Sequence, residues 1–495
     1  IQARDEGLYS AVTDCGAGGL SSAVGEMGEK LGARVDLDLV PLKYQGLNYT
    51  EIWISESQER MVFAVPPSKI KRLKELCAGE NVDLAVIGTY SGTGRLELSY
   101  HGTRVCDLDM AFMHGGVPRI AKEASWTTPR HKEPVFKCPS DLVPKLREVI
   151  SDYNVCSKEA VIRRYDHEVQ GGSVVKPLVG PACDGPSDAS VIRPILSSKK
   201  GIAVSNGINP RFGLIDPYWM AASVIDEAIR QVVAVGADLS TIAILDNFCW
   251  GNPDKPDRLG GLVRAAKGCH DFAVAYGTPF ISGKDSFYNE YTDKGRSIAI
   301  PGTLLLSAMA HVKDVEKAVT MDLKRPGSYI YIVGKTYAEL GGSVYLKTFG
   351  AIGNDVPKVN AKEALAAYTA LSAAIQKRMV LAAHDCSEGG LAVALAEMAF
   401  AGGFGATALL NTLPVDAKVK RDDTALFSES NSRILVEVDP KNKKAFERMM
   451  AGIPMAMIGR VLEAPDLFVY GLKDNLCLKA DVNELKQAWK RPLQF

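Results

Sequence analysis

Apolar positions along this chain alternate between two spacings. Residues 20–31 and 142–153 repeat them every three to four positions, which predicts helices. Asp216-Pro217 opens a longer helix, with Asp as N-cap and Pro in the first turn. Met220, Val224, Ala228, Val232 and Val235 then fall near one face, and Gly236 ends it. Short apolar runs predict strands at residues 61–65, 84–87, 241–245, 280–281 and 329–334, while 298–311 reads as a strand pair or one long strand. Asp246-Asn247 and Gly283-Lys284-Asp285-Ser286 are expected just beyond the ends of their strands, where polar groups in an α/β fold meet a ligand. Residues 127–139, with Pro and Lys, read as a linker, and Arg325-Pro326-Gly327 as a turn.

Three motifs recur in the same order. Asp14-Cys15-Gly16-Ala17-Gly18-Gly19-Leu20 returns as Asp385-Cys386-Ser387-Glu388-Gly389-Gly390-Leu391, an offset of 371 (14 to 385). Ser55-Glu56-Ser57-Gln58-Glu59-Arg60 returns as Ser428-Glu429-Ser430-Asn431-Ser432-Arg433, an offset of 373 (55 to 428). Ala85-Val86-Ile87-Gly88 returns as Ala456-Met457-Ile458-Gly459, again at 371 (85 to 456). One domain is therefore present twice. The pattern divides into a first copy at 1–128, a different α/β unit at 129–318, and the second copy at 319–495. The second copy has about 200 residues before it that the first lacks, so the chain reads as the later part of a longer duplicated protein or one subunit of a split one.

Composition narrows the function classes. Lys+Arg and Asp+Glu are each 58, so the net charge is zero and a broad nucleic-acid surface is not expected. No apolar run is long and uncharged enough to suggest a membrane span. Ten cysteines without a C-x-x-C pair argue against zinc and a disulfide framework, and fit a cytoplasmic location.

The chemistry sits in the repeated motifs. Asp14 precedes small residues and a helical pattern, a combination whose backbone N–H groups approach phosphate while the carboxylate holds Mg²⁺. The same residues also read as an Asp N-cap with a tight glycine turn; the duplicate at Asp385, with Ser387 added, strengthens the first reading. Glu56-Ser57-Gln58 offers a charge, a hydroxyl and an amide, suited to a sugar or phosphate ester, or makes an exposed polar turn. Lys284 beside Asp285 suits phosphate, or a surface ion pair. Glu227 and Gln231 share a helix face, with Glu227 a metal ligand or a solvated charge. His384 reads as structural, and Cys15 and Cys386 as small buried residues.

Taken together, Asp14 to Leu20, Glu51-Ile52-Trp53 with Ser55 to Arg60, Gly251-Asn252-Pro253 after Asp246-Asn247, Gly283 to Ser286, and His384 to Gly403 resemble the synthetase part of the formylglycinamide ribonucleotide amidotransferase (phosphoribosylformylglycinamidine synthase) family. That family lies in the aminoimidazole ribonucleotide synthetase superfamily. The resemblance covers essentially the whole chain and implies duplicated N (α/β) and C (α+β) units, with the first N unit absent here. It implies an ATP-dependent C–N ligase of purine biosynthesis. In that reaction ATP phosphorylates the amide oxygen of formylglycinamide ribonucleotide, and ammonia from a glutaminase subunit or domain displaces phosphate from the iminophosphate. By the same resemblance Asp14 is a Mg²⁺ ligand, Glu56, Ser57, Gln58 and Ser286 bind substrate, and Asp246 and Gly283 contact ATP. A second nucleotide site, holding a structural ADP, takes Asp385 and Glu227 as Mg²⁺ ligands and Ser387 as a nucleotide contact, with Gln231 in place of a metal-binding Asn. Lys284 stands where short members carry a Mg²⁺-binding Asn. The family's catalytic His and ATP-binding Lys belong to the absent N unit, so no catalytic residue is assigned and the chain alone is expected to be inactive. Two other readings are a nucleotide-binding structural scaffold and a relative of thiamine-phosphate kinase or selenophosphate synthetase.

Overall fold

The computed structural model describes every residue except 117, 169 and 495. It comprises two compact units, residues 1–121 and 122–495.

The first unit contains β1 (Ala11–Asp14), β2 (Ala33–Asp36), β3 (Met61–Ala64), β4 (Gly88–Tyr90), β5 (Arg95–Tyr100) and β6 (Thr103–Asp109). They form two sheets, β1-β3 and β4-β2-β5-β6. The helix Leu20–Gly28 buries Leu20, Ala23 and Val24 against Val35, Leu96, Leu98 and Met110.

The second unit begins with β7 (Ser173–Val175), β8 (Ser190–Ile192), β9 (Gly201–Ile208), β10 (Ala243–Cys249), β11 (Phe280–Ser286), β12 (Glu290–Asp293), β13 (Arg296–Ala299) and β14 (Thr303–Val312). Six of these make a sheet in the order β11-β10-β14-β9-β8-β7, and β12-β13 is a separate hairpin. The helix Pro217–Ala234 packs on this sheet and on the helix Pro256–Tyr276. Its start is as expected: Asp216 caps it by accepting from Tyr218 N–H at 3.0 Å, and Gly236 beyond its end has φ +92°. Then come β15 (Tyr329–Val333), β16 (Val380–Asp385), β17 (Gly405–Leu409), β18 (Ile434–Val438), β19 (Met455–Leu462), β20 (Asp466–Tyr470) and β21 (Leu476–Asp481). They form one sheet in the order β16-β18-β15-β19-β17-β20-β21.

The duplication extends to strand pairing. β1-β3 has the antiparallel pairing of β16-β18. The order β4-β2-β5-β6 repeats β19-β17-β20-β21, with β2·β5 and β17·β20 parallel and the other pairs antiparallel. Even a backbone approach is copied. A Cβ on Gly88 would lie 2.1 Å from Arg34 O, and one on Gly459 would lie 1.7 Å from Thr407 O, so both positions exclude any side chain. In the second copy β15 pairs with both β18 and β19 and joins their strands into seven. Among the described residues the first unit has no counterpart of β15, and β3 and β4 end separate sheets.

That difference explains one misplaced strand. Residues 84–87 are not a strand; β4 starts at Gly88. In the second copy Met455, Ala456 and Met457 are strand residues because they pair with β15, whereas β17 reaches only Gly459 onward. Two further expectations are corrected. β10 and β11 run through Asp246-Asn247 and Gly283 to Ser286 rather than stopping before them, because the two strands pair in parallel with Asp246 opposite Gly283 and Cys249 opposite Ser286. Residues 298–311 are split by Pro301-Gly302 between β13 and β14. The predicted linker has no helix or strand, yet it is fastened along the second unit. His131 N–H donates to Asn354 Oδ1 at 2.8 Å, and the Phe136 ring stacks on Phe349 at 4.2 Å.

One carboxylate ties the second unit together. Asp226 is fully buried and accepts from Arg230 (2.8 Å), Tyr276 Oη (2.6 Å), Tyr368 Oη (2.7 Å), and Ser432 N and Oγ (both 2.8 Å). Removing one partner of such a network strands the others without water. Arg230→Met is therefore expected to destabilise the second unit by about 3–5 kcal/mol, read as a lower chemical-denaturation midpoint. A change within experimental error would show that the network contributes nothing net.

Candidate functional site

The two glycine turns are built by the same contacts. In the first copy, Cys15 N–H donates to Arg60 O at 3.0 Å and Gly19 N–H to Gly16 O at 3.0 Å. Gly18 N–H donates to Glu56 Oε1 at 2.9 Å, Arg60 Nε donates to Ser57 O at 3.2 Å, and the Arg60 guanidinium also donates to Ser55 O. In the second copy, Cys386 N–H donates to Arg433 O at 3.0 Å and Gly390 N–H to Ser387 O at 2.9 Å. Gly389 N–H donates to Glu429 Oε1 at 2.8 Å, and Arg433 reaches Ser430 O at 2.9 Å and Ser428 O at 2.5 Å. Gly19 and Gly390 have φ +59° and +62°, and a Cβ on either would lie 2.1 or 2.4 Å from the loop carbonyl of Ser55 or Ser428. The glycine turn and the Ser-Glu-Ser loop are thus one locked piece, with the closing Arg as its fastener. In neither copy does the Asp cap the helix; Gly19 and Gly389 hold that position.

The surroundings of the two pieces differ. Asp14, Glu56, Ser57 and Gln58 are exposed. Glu429, Ser430 and Asn431 are buried. Tyr337 N–H donates to Ser430 Oγ at 2.9 Å, Asn431 donates to Ser223 Oγ at 2.8 Å, and Val344 N–H donates to Glu429 Oε1 at 2.9 Å.

Asp385 ends β16 inside a cluster of acids. Its Oδ2 accepts from Arg230 Nε at 3.0 Å, and Ser387 Oγ lies 3.5 Å from its Oδ1. Its N–H donates to Asp188 Oδ1 at 2.8 Å. His384 bridges two acids, with Nδ1 2.9 Å from Asp188 Oδ1 and Nε2 3.0 Å from Glu397 Oε2. Burial opposes a charge on His384, but Asp188 and Glu397 hold its pKa well above the ordinary value. Glu227 accepts from Ile208 N–H at 3.2 Å. The Gln231 amide donates to Asp188 O at 3.0 Å and Asn206 O at 2.7 Å, which turns its oxygen toward Glu227 Oε1, 3.5 Å away. Glu227 is therefore no freely solvated helix charge.

The electrostatics of this cluster are unbalanced. Burial, then Glu388, raises Glu227 well above the ordinary carboxyl range. Burial pushes Asp385 to about 6 despite Arg230, and burial together with Asp385 pushes Glu388 to about 7. Asp188 Oδ2 is buried with no hydrogen-bond partner; a cavity of about 420 Å³ beside Asp188 is lined by Lys158 and Asn206 but by none of Asp385, Glu227, Gln231 and Ser387. Carboxylates held so close, with a bare oxygen and an amide oxygen turned inward, fit a hard divalent cation. Asp188 and Arg230 were not singled out from the sequence. For Arg230 the signal was present: a charged i,i+4 pair, Asp226 and Arg230, on a largely apolar helix.

Asp246, Gly283, Lys284 and Ser286 come together on adjacent strands. A Cβ on Gly283 would lie 2.5 Å from Asp246 Oδ1, so the glycine makes room for that carboxylate. Burial, then the neighbouring Asp285, raises Asp246. Lys284 donates to Ser286 Oγ. Cys15 and Cys386 are buried, and burial raises both thiols.

Glu429 supplies a pH test. Burial, then Glu388, pushes it to about 8 from an ordinary 4.5. An acid whose folded pKa is raised gives stability that is full below its unfolded pKa and lost as pH rises through the folded one. In chelator, the second unit is expected to lose stability between about pH 4.5 and 8, with a shallower loss in Glu429→Gln. Equal slopes in denaturation at several pH values would contradict this.

Sequence and structure comparisons place these features among known proteins. The model "AIR synthase related protein, C-terminal domain" matches residues 1–101 and 325–471, and "AIR synthase related protein, N-terminal domain" matches 186–304. The phosphoribosylformylglycinamidine synthase subunit PurL of Deinococcus radiodurans is 35% identical, over 100% of this chain and 66% of its own length. That of Picrophilus torridus is 33% identical, over 99% of this chain and 63% of its own. The chain thus spans just under two thirds of these relatives. The structure of Thermotoga maritima PurL complexed with ADP has a TM-score of 0.64 at 23% identity, over 93% of this chain and 65% of that one, which speaks to the fold. With the C-terminal-domain model covering half the chain in two separate blocks and the N-terminal-domain model between them, this chain belongs to the AIR synthase related protein family.

Proposed function

We propose that this chain is part of an ATP-dependent C–N ligase converting formylglycinamide ribonucleotide to formylglycinamidine ribonucleotide, with a substrate site on the first copy and a structural nucleotide site on the second. The observation that carries this is the contrast between two loops of matching sequence pattern and the same internal contacts. Glu429, Ser430 and Asn431 are covered by the chain's own groups, whereas Glu56, Ser57 and Gln58 are open. An open loop with a hydroxyl and an amide suits a phosphorylated substrate; a closed loop does not. PurL of Thermotoga maritima has been crystallised with FGAR and with AMPPCP, in keeping with this reading.

In the proposed division of labour, Asp14 is a Mg²⁺ ligand beside the substrate loop. Glu56, Ser57 and Gln58 bind substrate, with Glu56 also holding the turn through Gly18 N–H. Asp246 and Gly283 contact ATP, and Ser286 contacts substrate. At the second site Asp385, Glu227, Gln231 and, from its bare oxygen, Asp188 would hold Mg²⁺, with Ser387 toward nucleotide. The cation supplies neutralisation of phosphate charge. The residues supply fixed oxygens, so that phosphoryl transfer to the amide oxygen, and its displacement by ammonia, occur between aligned reactants. Ammonia would come from a separate glutaminase subunit or domain, and the remaining N unit from outside this sequence. No helix among the described residues is long and apolar enough to cross a membrane, and all ten cysteines are free, so the proposal includes the cytoplasm.

Mg²⁺ and ADP together are expected to stabilise the chain by about 2.7 kcal/mol at a hundredfold excess over Kd, and Asp385→Asn to abolish the effect. Thermal shift measures this, and equal shifts in both proteins would refute the second site. Gly283→Ala is expected to displace Asp246 and weaken ATP binding on that face about tenfold, or about 1.4 kcal/mol. Unaltered ATP affinity by calorimetry would remove Asp246 from the ATP site.

A further inference from the structure

The metal reading leaves two groups without a task, the buried His384 and the half-buried Glu397. They form a line: Glu397 Oε2, 3.0 Å to His384 Nε2, then His384 Nδ1, 2.9 Å to Asp188 Oδ1. Asp188 Oδ1 also accepts the Asp385 N–H at 2.8 Å. Two donors therefore hold one oxygen of Asp188 and leave the other, Oδ2, buried and without a partner, while Asp188 and Asp385 offer ligand atoms within 4.8 Å of each other. A carboxylate on a short side chain can otherwise rotate and present either oxygen.

We infer that His384, backed by Glu397, is a positioning residue that fixes Asp188 with its free oxygen toward the second-site cation. The inference rests on the metal reading proposed above. Ligand atoms of Asp188, His384 and Asp385 lie within 4.8 Å of one another, which raises direct ligation by His384 as an alternative. Both ring nitrogens face carboxylate oxygens, however, so neither lone pair is turned to a cation. Outer partners that orient ligating groups are worth about 10–100-fold in metal affinity.

The test uses the full chain and a fluorescent ADP, titrated with Mg²⁺, while melting without ligand is followed in parallel. His384→Leu is expected to raise the Mg²⁺ midpoint about 10–100-fold. His384→Asn, whose amide N–H takes the place of Nδ1–H, is expected to recover most of the loss. Glu397→Gln keeps shape and an acceptor but drops the charge, and is expected to raise the midpoint less than His384→Leu; it also serves if the leucine variant does not fold. Unchanged midpoints in His384→Leu or Glu397→Gln, with or without lower melting, would overturn the positioning role. So would an asparagine variant as weak as the leucine one. A wild-type chain that fails to bind ADP in a Mg²⁺-dependent way would instead overturn the metal reading itself.

Discussion

Asp226 accepts five hydrogen bonds from three other segments, and its guanidinium partner Arg230 is shared with Asp385. Burying a carboxylate and a guanidinium is costly, and the cost is offset only while every donor and acceptor is matched. The network reaches the helix Pro217–Ala234, the tyrosines Tyr276 and Tyr368, and the loop at Ser432, so the pieces that must be correctly placed are also the pieces that carry the candidate cation site. Folding of the second unit and the geometry around Asp385 are therefore set by one polar cluster. Hydrophobic groups of similar volume replacing the whole cluster at once could pack as well, but they would remove the guanidinium that holds Asp385 Oδ2.

The two copies show how one local structure is kept while its surroundings diverge. The glycine turn, the loop and the closing arginine need only contacts within about 60 residues of chain, so both copies retain them. What the loop then faces depends on other elements. In the second copy Ser223, Tyr337 and Val344 satisfy its polar groups from within the protein. Satisfied polar groups have no reason to exchange partners for a ligand. Exposed ones make that exchange readily, and this is the physical basis for assigning different tasks to the same residues.

Local signals could be read from the sequence where the local interaction decides the outcome. The cap at Asp216, the stop at Gly236 and the duplicated motifs follow from backbone chemistry and repetition alone. Signals failed where a distant neighbour decides. Residues 84–87 have a strand-like pattern, but their copies at 455–458 are strand residues because β15 lies beside them. Strands β10 and β11 extend each other through parallel pairing, so the polar residues expected after their ends lie inside them. Asp188 was invisible because its importance comes from an oxygen left bare by partners 196 and 197 residues away. Asp385 was legible in the duplicated motif and Glu227 with Gln231 in their shared helix face, while their proximity to one another emerged only from the fold.

Among the described residues of the first unit, β3 and β4 each end a sheet and present a row of backbone donors and acceptors along that edge. Such edges are adhesive, since any extended peptide of suitable length can complete them by main-chain bonding regardless of its side chains. Handled in isolation, the first unit would consequently be prone to self-association through its backbone, with exposed Met61 and Phe63 adding apolar grip at the same seam.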